Sequence, residues 1–140
     1  MLNIEDIKLR IENLSLKLDD RYKKYYPVYE ENNDCVPYIT IENDYYVLSI
    51  ICVDIMYYLD KEYENPNGMY EKEILVKTKE IDDLLYYIFK TIVRIMTESY
   101  PDRKPRLDTK EFMIMRQLFL ISGLSEEWEL RLKKELENLK

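Results

Sequence analysis

The chain of 140 residues contains no histidine, only two glycines and only two cysteines. Without histidine it lacks the usual general base and the commonest metal ligand. Gly68 and Gly123 cannot build a phosphate-binding loop, and Cys35 and Cys52 lie too far apart for a zinc motif. We therefore predict a protein that is not an enzyme, with no catalytic residues, no cofactor and no metal site.

The chain also lacks an apolar run near the roughly 20 residues that span a bilayer. Its first residues mix acidic and apolar side chains, unlike those of a signal peptide. Hydrophobic residues nevertheless make up 46% of the sequence, too many for a disordered protein. We expect one domain, residues 1–140, that is cytoplasmic and does not bind membranes.

Charge is distributed unevenly along the chain, whose formal net charge is −7. Residues 27–83 hold fourteen acidic and four basic groups, whereas residues 1–26 and 84–140 are each slightly positive. Nucleic acids and anionic membranes attract the opposite charge, so we predict no nucleic-acid partner. The acidic region favours a positively charged protein partner.

Tyrosine is concentrated in the same region, because eleven of the fourteen tyrosines lie between residues 22 and 70. Tyrosine is frequent in protein interfaces, where it supplies contact area at a small entropic cost. The alternative is a compositional bias without a function. On the first interpretation, we predict these partner-binding residues: Tyr38, Glu42, Asp44, Tyr58, Asp60, Glu62, Tyr63 and Glu64.

Some of these acids could instead bind a hard metal ion, because alternate residues of a strand share one face. The candidates are Asp60, Glu62 and Glu64, or Glu71 and Glu73. A solvated outer face of a sheet explains the same pattern without a metal, and we favour that explanation.

The N-terminal residues have the period of an amphipathic helix. Asn3 is suited to cap it, and residues 4–20 are predicted to be helical. Residues 21–34 have no clean period and contain Pro27, so they are predicted to be a linker. The apolar stripe consists of Ile4, Ile7, Ile11, Leu14 and Leu18.

The period then changes to two, which is typical of strands. "VPYITIE" and "YYVLSIICV" flank Asn43–Asp44, a suitable two-residue hairpin turn. This turn places Cys35 opposite Cys52, and we expect both to be reduced on a core face. "IMYYLDKEYE" and "MYEKEILVKT" flank Asn67–Gly68, so three or four strands are predicted between residues 36 and 78. The hairpin's buried face should contain Ile39, Ile41, Tyr46, Leu48 and Ile50.

Three C-terminal helices are predicted next, over residues 80–99, over residues 107–122 and after a cap at Ser125. The first is apolar around most of its circumference and should be covered from two sides. Tyr86 is then predicted to lie in the core and Tyr87 at its rim. The expected fold is α+β, with an N-terminal helix, an antiparallel sheet and three C-terminal helices packed on one face of the sheet.

Several stretches resemble the bacterial family of immunity protein 63. The resemblance is carried by "EIDDLLYYIFKTI", "RQLFLISGLSEEW" and a charged C-terminal helix, and more loosely by "YITIENDYYVL". It extends over most of residues 38–139. Two departures stand out: a longer segment at residues 52–68, and Lys110–Glu111 where the family tends to have basic residues.

The resemblance implies an immunity protein that binds a cognate polymorphic toxin domain and blocks it by occlusion. The acidic, tyrosine-rich region suits a basic toxin such as a nuclease. The alternative is a non-catalytic adaptor or subunit that docks a basic protein, and an enzyme is the third interpretation. A neighbouring gene for a large secreted protein with a variable C-terminal domain would favour the first of these over the second.

Overall fold

The computed structural model describes residues 1–54, 59, 69–99 and 110–138. These residues form an N-terminal helix, a three-stranded antiparallel sheet and three C-terminal helices, so the predicted α+β class is confirmed. No helix among them is both long enough and apolar enough to cross a membrane. In chain order the elements are α1 (Ile4–Ser15), a 3₁₀ helix (Asp20–Tyr25), β1 (Tyr38–Glu42), β2 (Tyr45–Val53), β3 (Tyr70–Thr78), α2 (Ile81–Glu98), α3 (Lys110–Ser122) and α4 (Glu126–Glu137).

The chain divides into two compact units. The first unit comprises Met1–Leu9 and Tyr25–Leu84 and contains the whole sheet. The second unit comprises Arg10–Lys24 and Leu85–Lys140 and contains most of α2 together with α3 and α4. That residues 1–140 act as one domain stays a prediction.

A two-residue turn joins β1 to β2, as predicted. Asn43 and Asp44 have φ angles of 50° and 68°. These are the left-handed values of a type I′ turn, which asparagine and aspartate adopt more readily than most residues. The turn fixes the register, in which Tyr38 pairs with Ser49.

The β1–β2 hairpin is buried on both faces, and not only on the predicted one. On the predicted face Ile39 is fully buried, and the Tyr46 hydroxyl accepts a hydrogen bond of 2.8 Å from the backbone N–H of Leu2. On the opposite face Tyr38 and Val47 are each 1% exposed. Alternation predicts one buried face only when the other face meets water, and here side chains of both faces are buried.

Cys35 and Cys52 form a disulfide, so the prediction that they are reduced is wrong. The predicted register is nevertheless correct, and it brings the two Cα atoms to 4.4 Å, within the range that a disulfide requires. The pair does not lie on a core face either, because Cys35 is exposed and Cys52 is half-buried. The prediction gave the general argument from compartment more weight than this facing geometry.

β3 pairs with β2 over its whole length, and the pairing contains a bulge. Leu48 faces Val76 and Ser49 faces Ile74, which leaves Leu75 as the extra residue. β3 therefore confirms the second strand of the other predicted hairpin. Of the first strand and the turn of that hairpin, only Leu59 is described, and its backbone is helical and not extended.

The N-terminal helix starts as predicted and ends earlier. Asn3 Oδ1 accepts a hydrogen bond of 2.8 Å from the Asp6 N–H, and the Asp6 carboxylate accepts one of 3.3 Å from the Asn3 N–H. This reciprocal pair is a capping box. The helix ends at Ser15, whose hydroxyl donates to the carbonyl of Glu12. Leu16, the next residue, is 78% exposed.

In the second unit, α2 is buried on two arcs, as predicted. Leu85 and Ile88 lie on one arc and Tyr86 and Phe89 on the other, and all four are buried. Trp128 of α4 covers the second arc, with its ring centroid 6.0 Å from that of Phe89 and 6.2 Å from that of Tyr86.

The C-terminal helix begins where the sequence predicted. The Ser125 hydroxyl accepts a hydrogen bond of 3.2 Å from the Trp128 N–H, which caps α4. α3 ends at Ser122, directly before Gly123. A side chain at Gly123 would meet only the Leu120 carbonyl, at 3.7 Å, which is an ordinary contact.

Truncating the core arc of α2 should destabilise the protein more than truncating its rim. We expect Leu85→Ala and Ile88→Ala to lower the free energy of unfolding by roughly 2–5 kcal/mol, because each leaves a cavity. Tyr87→Ala should cost clearly less, because Tyr87 is only half-buried. Urea denaturation of the three variants measures this. A larger loss for Tyr87→Ala than for Ile88→Ala would contradict the observed helix phase.

The Tyr86 hydroxyl is enclosed but makes no hydrogen bond to any described residue. Burial raises the pKa of Tyr86 well above its ordinary value, and the neighbouring Glu135 carboxylate raises it further. The Arg131 guanidinium, 4.1 Å from the Tyr86 ring centroid, opposes this rise in pKa.

Tyr86→Phe should leave stability at pH 7 unchanged or raise it by up to about 1 kcal/mol, because a buried hydroxyl without a partner is costly. Tyr86 also has a folded-state pKa above its unfolded value. The contribution of Tyr86 to the free energy of unfolding is therefore constant below about pH 10. It is lost as the pH rises further, since the tyrosine ionises first in the unfolded chain. The wild-type free energy of unfolding should fall more steeply above pH 10 than that of Tyr86→Phe.

The matched control is Tyr70→Phe, which makes the same chemical change at a half-buried strand residue. Denaturant titrations of the three proteins at pH 7 and pH 10.5 give the comparison. A loss of more than about 1 kcal/mol in Tyr86→Phe at pH 7 would mean that the hydroxyl forms a stabilising hydrogen bond.

Candidate functional site

A groove with a volume of about 650 Å³ lies in the first unit, between the first turns of α1 and the segment before β1. Val28 positions this segment, because its N–H donates to the Pro37 carbonyl at 2.9 Å and its carbonyl accepts from the Ile39 N–H at 3.0 Å. These bonds hold Val28 against the edge of β1. We call this feature the acidic groove, and its lining consists of Ile4, Glu5, Lys8, Val28, Tyr29, Glu30, Glu31, Asn32, Asp34 and Val36.

The lining combines negative charge with apolar surface. Four carboxylates face a single ammonium group, that of Lys8, which lies 5.8 Å from the centroid of the Tyr29 ring. Ile4, Val28 and Val36 supply apolar contact area. A lysine or arginine side chain needs both features, since its aliphatic stem packs on apolar surface while its charged end meets carboxylates.

One of the carboxylates is fixed from below by a buried tyrosine. The Tyr38 hydroxyl donates a hydrogen bond of 3.2 Å to Oε1 of Glu31, and the Tyr38 side chain is 1% exposed. Burial raises the pKa of Tyr38, Lys72 opposes the rise, and Glu31 adds to it. The hydroxyl therefore stays protonated near neutral pH and holds Glu31 in place as a hydrogen-bond donor.

The acidic end of the groove is shaped by a short loop. The Asn32 side-chain amide donates to the Val36 carbonyl at 3.1 Å and to the Glu30 carbonyl at 3.4 Å. Its oxygen accepts from the Asp34 N–H at 2.9 Å. These bonds make the loop compact, and the disulfide at Cys35 follows directly after it.

The predicted site residues do not gather in one place. Tyr38 is buried beneath Glu31, so any role of its side chain at a contact surface would be indirect. Glu42 and Asp44 are exposed at the β1–β2 turn, at the far end of β1 from the acidic groove. The remaining predicted residues fall outside the described residues, and the whole set stays a prediction: Tyr58, Asp60, Glu62, Tyr63 and Glu64.

The surroundings of the β1–β2 turn are mixed in charge. The Lys77 and Lys79 ammonium groups lie 4.9 Å and 5.1 Å from the centroid of the Tyr45 ring. These two cations partly offset the acids Glu42 and Asp44 in the same part of the sheet. The acidic groove therefore has a stronger excess of negative charge.

The sequence interpretation missed Glu30, Glu31 and Asp34, because it assigned their segment to a linker. The available signal was the string "VYEEN", which joins tyrosine to acids as the predicted contact region does. A segment without a period gives no information about which element it lies against. The bond between Val28 and the edge of β1 determines where this segment lies, and that bond is a tertiary contact.

A smaller groove of about 270 Å³ lies in the second unit, and its charged groups are largely paired. The Lys90 ammonium group lies 3.1 Å from the Glu135 carboxylate and close to the rings of Tyr86 and Tyr87. Tyr87 lines this groove as a half-buried residue, as predicted. Across the described residues, no group of three or more cysteines and acidic residues is arranged to hold a metal ion.

Comparison with known proteins identifies the C-terminal half of the chain. Residues 71–138 match the family model described as Immunity protein 63. This part of the chain is similar to the immunity protein 63 family. The predicted family is thereby confirmed, over a shorter stretch than the predicted one from about residue 38. The chain matches no curated protein and no solved structure.

The matched stretch contains nearly all of β3 together with α2, α3 and α4. The acidic groove lies entirely outside it, because its lining residues fall between Ile4 and Val36. The family match therefore supports a toxin-neutralising role for the protein without assigning a surface to that role.

Proposed function

We propose that this protein is an immunity protein that binds a cognate polymorphic toxin domain and neutralises it by occlusion. The observation that carries the proposal is the family match over residues 71–138. Immunity proteins act by binding a toxin, and the absence of histidine from the chain agrees with a role without catalysis. The proposed place of action is the cytoplasm of the cell that produces the toxin.

The acidic groove is the proposed contact surface, and the proposed toxin is a basic nuclease. A nuclease must present positive charge where it meets phosphates. Glu30, Glu31 and Asp34 would then occupy the positions that phosphates take in the toxin's substrate. Carboxylates at the mouth would speed association with a basic partner, and the apolar lining would contribute to the lifetime of the complex.

A non-catalytic adaptor that docks another basic protein is the second candidate, because the same charge pattern would serve it. The genomic neighbourhood separates the two candidates. A large secreted protein with a variable C-terminal domain, encoded beside this gene, favours the immunity function. Its absence favours the adaptor.

Reversing charge in the acidic groove should weaken binding to that C-terminal toxin domain. For Glu30→Lys/Asp34→Lys, we expect the association rate at low salt to fall by about tenfold or more, because electrostatic steering is reversed. Stability should change little, since both side chains are exposed. Stopped-flow association at two salt concentrations, together with survival of cells that co-express the toxin domain, measures the effect.

The matched control is Glu127→Lys/Glu137→Lys, which makes the same change in net charge at two exposed residues of α4. It should retain protection and most of the association rate. Two further variants test the predicted surfaces: Glu42→Lys/Asp44→Lys, and Asp60→Lys/Glu62→Lys/Glu64→Lys. Full binding by the groove variant, with loss of binding in either of these, would place the contact elsewhere.

A further inference from the structure

The Cys35–Cys52 disulfide adjoins the wall of the acidic groove. Cys35 stands between Asp34 and Val36, which both line the groove. Cys52 belongs to β2, the central strand of the sheet. The bond therefore joins one wall of the groove directly to the sheet.

The hydrogen bonds of this part of the wall divide between the loop itself and β2. The side-chain bonds of Asn32 stay within the loop itself, since they end on Glu30, Asp34 and Val36. Within the described part of the chain, Cys35 forms two bonds that join residues 34–36 to β2. One is the disulfide, and the other is a hydrogen bond of 3.0 Å from the Cys35 N–H to the Ile51 carbonyl.

The backbone at Cys35 would not favour this position without the bond. Its φ angle is 61°, in the left-handed region that residues other than glycine, asparagine and aspartate seldom adopt. Cys35 is also exposed, whereas Cys52 is half-buried, so a dissolved thiol can reach the Cys35 sulfur. The disulfide is therefore accessible to thiols, and the backbone preference of Cys35 opposes the conformation that the disulfide holds.

We propose that the redox state of the Cys35–Cys52 bond controls the acidic groove. The oxidised protein holds the wall at Asp34–Val36 in the shape that binds a basic partner. Reduction releases the wall and lowers the affinity. This inference rests on the proposed function and adds regulation to the same site. Disulfides that occur in reducing compartments commonly have such a sensing role.

The reductant is a dithiol, either a small molecule or a protein. Its thiolate attacks the exposed Cys35 Sγ, which forms a mixed disulfide and releases Cys52 as a thiolate that takes up a proton. The second thiol of the reductant then attacks the mixed disulfide. Cys35 leaves as a thiolate and is protonated. The reductant departs as a disulfide and has lost two electrons. Oxidation by a disulfide of the same class reverses these steps.

The first test measures the wall itself by amide hydrogen exchange on the full-length chain, with and without dithiothreitol. Reduction should speed exchange of the Cys35 N–H, while the ladder between β2 and β3 stays protected. Cys35→Ser/Cys52→Ser should behave like the reduced wild type and should not respond to dithiothreitol. Unchanged exchange at Cys35 after reduction would overturn the inference, and so would loss of protection across the whole sheet.

The second test measures affinity for the cognate toxin domain of the proposed function. The reduced protein and the double-serine variant should bind about tenfold or more weakly than the oxidised protein, as expected if the wall is in place a tenth of the time. Equal affinity of the oxidised and reduced forms would overturn this inference and leave the proposed function standing. No binding in either form would overturn both.

Discussion

The two-residue turn at Asn43 and Asp44 sets the pairing of β1 with β2, and most of the first unit depends on that pairing. A shift by one residue would exchange the two faces of the hairpin. In the observed register Tyr38 and Tyr46 point to opposite faces, and Cys35 meets Cys52. The left-handed conformation of the two turn residues is thus the local cause of long-range contacts.

The two tyrosines on opposite faces illustrate how polar groups organise a small core. Each buries its ring, and each hydroxyl ends on a different segment of the first unit. Tyr46 meets the backbone of Leu2, and Tyr38 meets the Glu31 carboxylate. A buried hydroxyl needs a partner, so each tyrosine selects one position for the segment that supplies it. In the case of Tyr38, that segment carries most of the groove's acids.

The parts of the fold that could be predicted from the sequence are those fixed by neighbours along the chain. The Asn3 cap, the Asn43–Asp44 turn, the Ser125 cap and the phase of α2 all follow from spacing and residue type. The disulfide could be predicted only in part, since the register places two cysteines together without fixing their oxidation state.

The candidate site was much less predictable, because it is assembled from segments that are distant in sequence. α1 supplies Glu5 and Lys8, and the irregular segment before β1 supplies Glu30 and Glu31. The regional excess of acid and tyrosine indicated the kind of partner without locating the surface. The burial of both hairpin faces was missed for a similar reason, since alternation describes one strand and not what covers it.

The bond between Val28 and the outer side of β1 also protects the sheet from self-association. An edge strand presents unpaired N–H and C=O groups that can recruit the edge of another molecule. Val28 occupies part of this edge, and its partner there is Tyr38. The backbone groups that Val28 occupies are no longer free to pair with the edge of a second molecule, which lowers the tendency of this side of the sheet to form intermolecular sheets at high protein concentration.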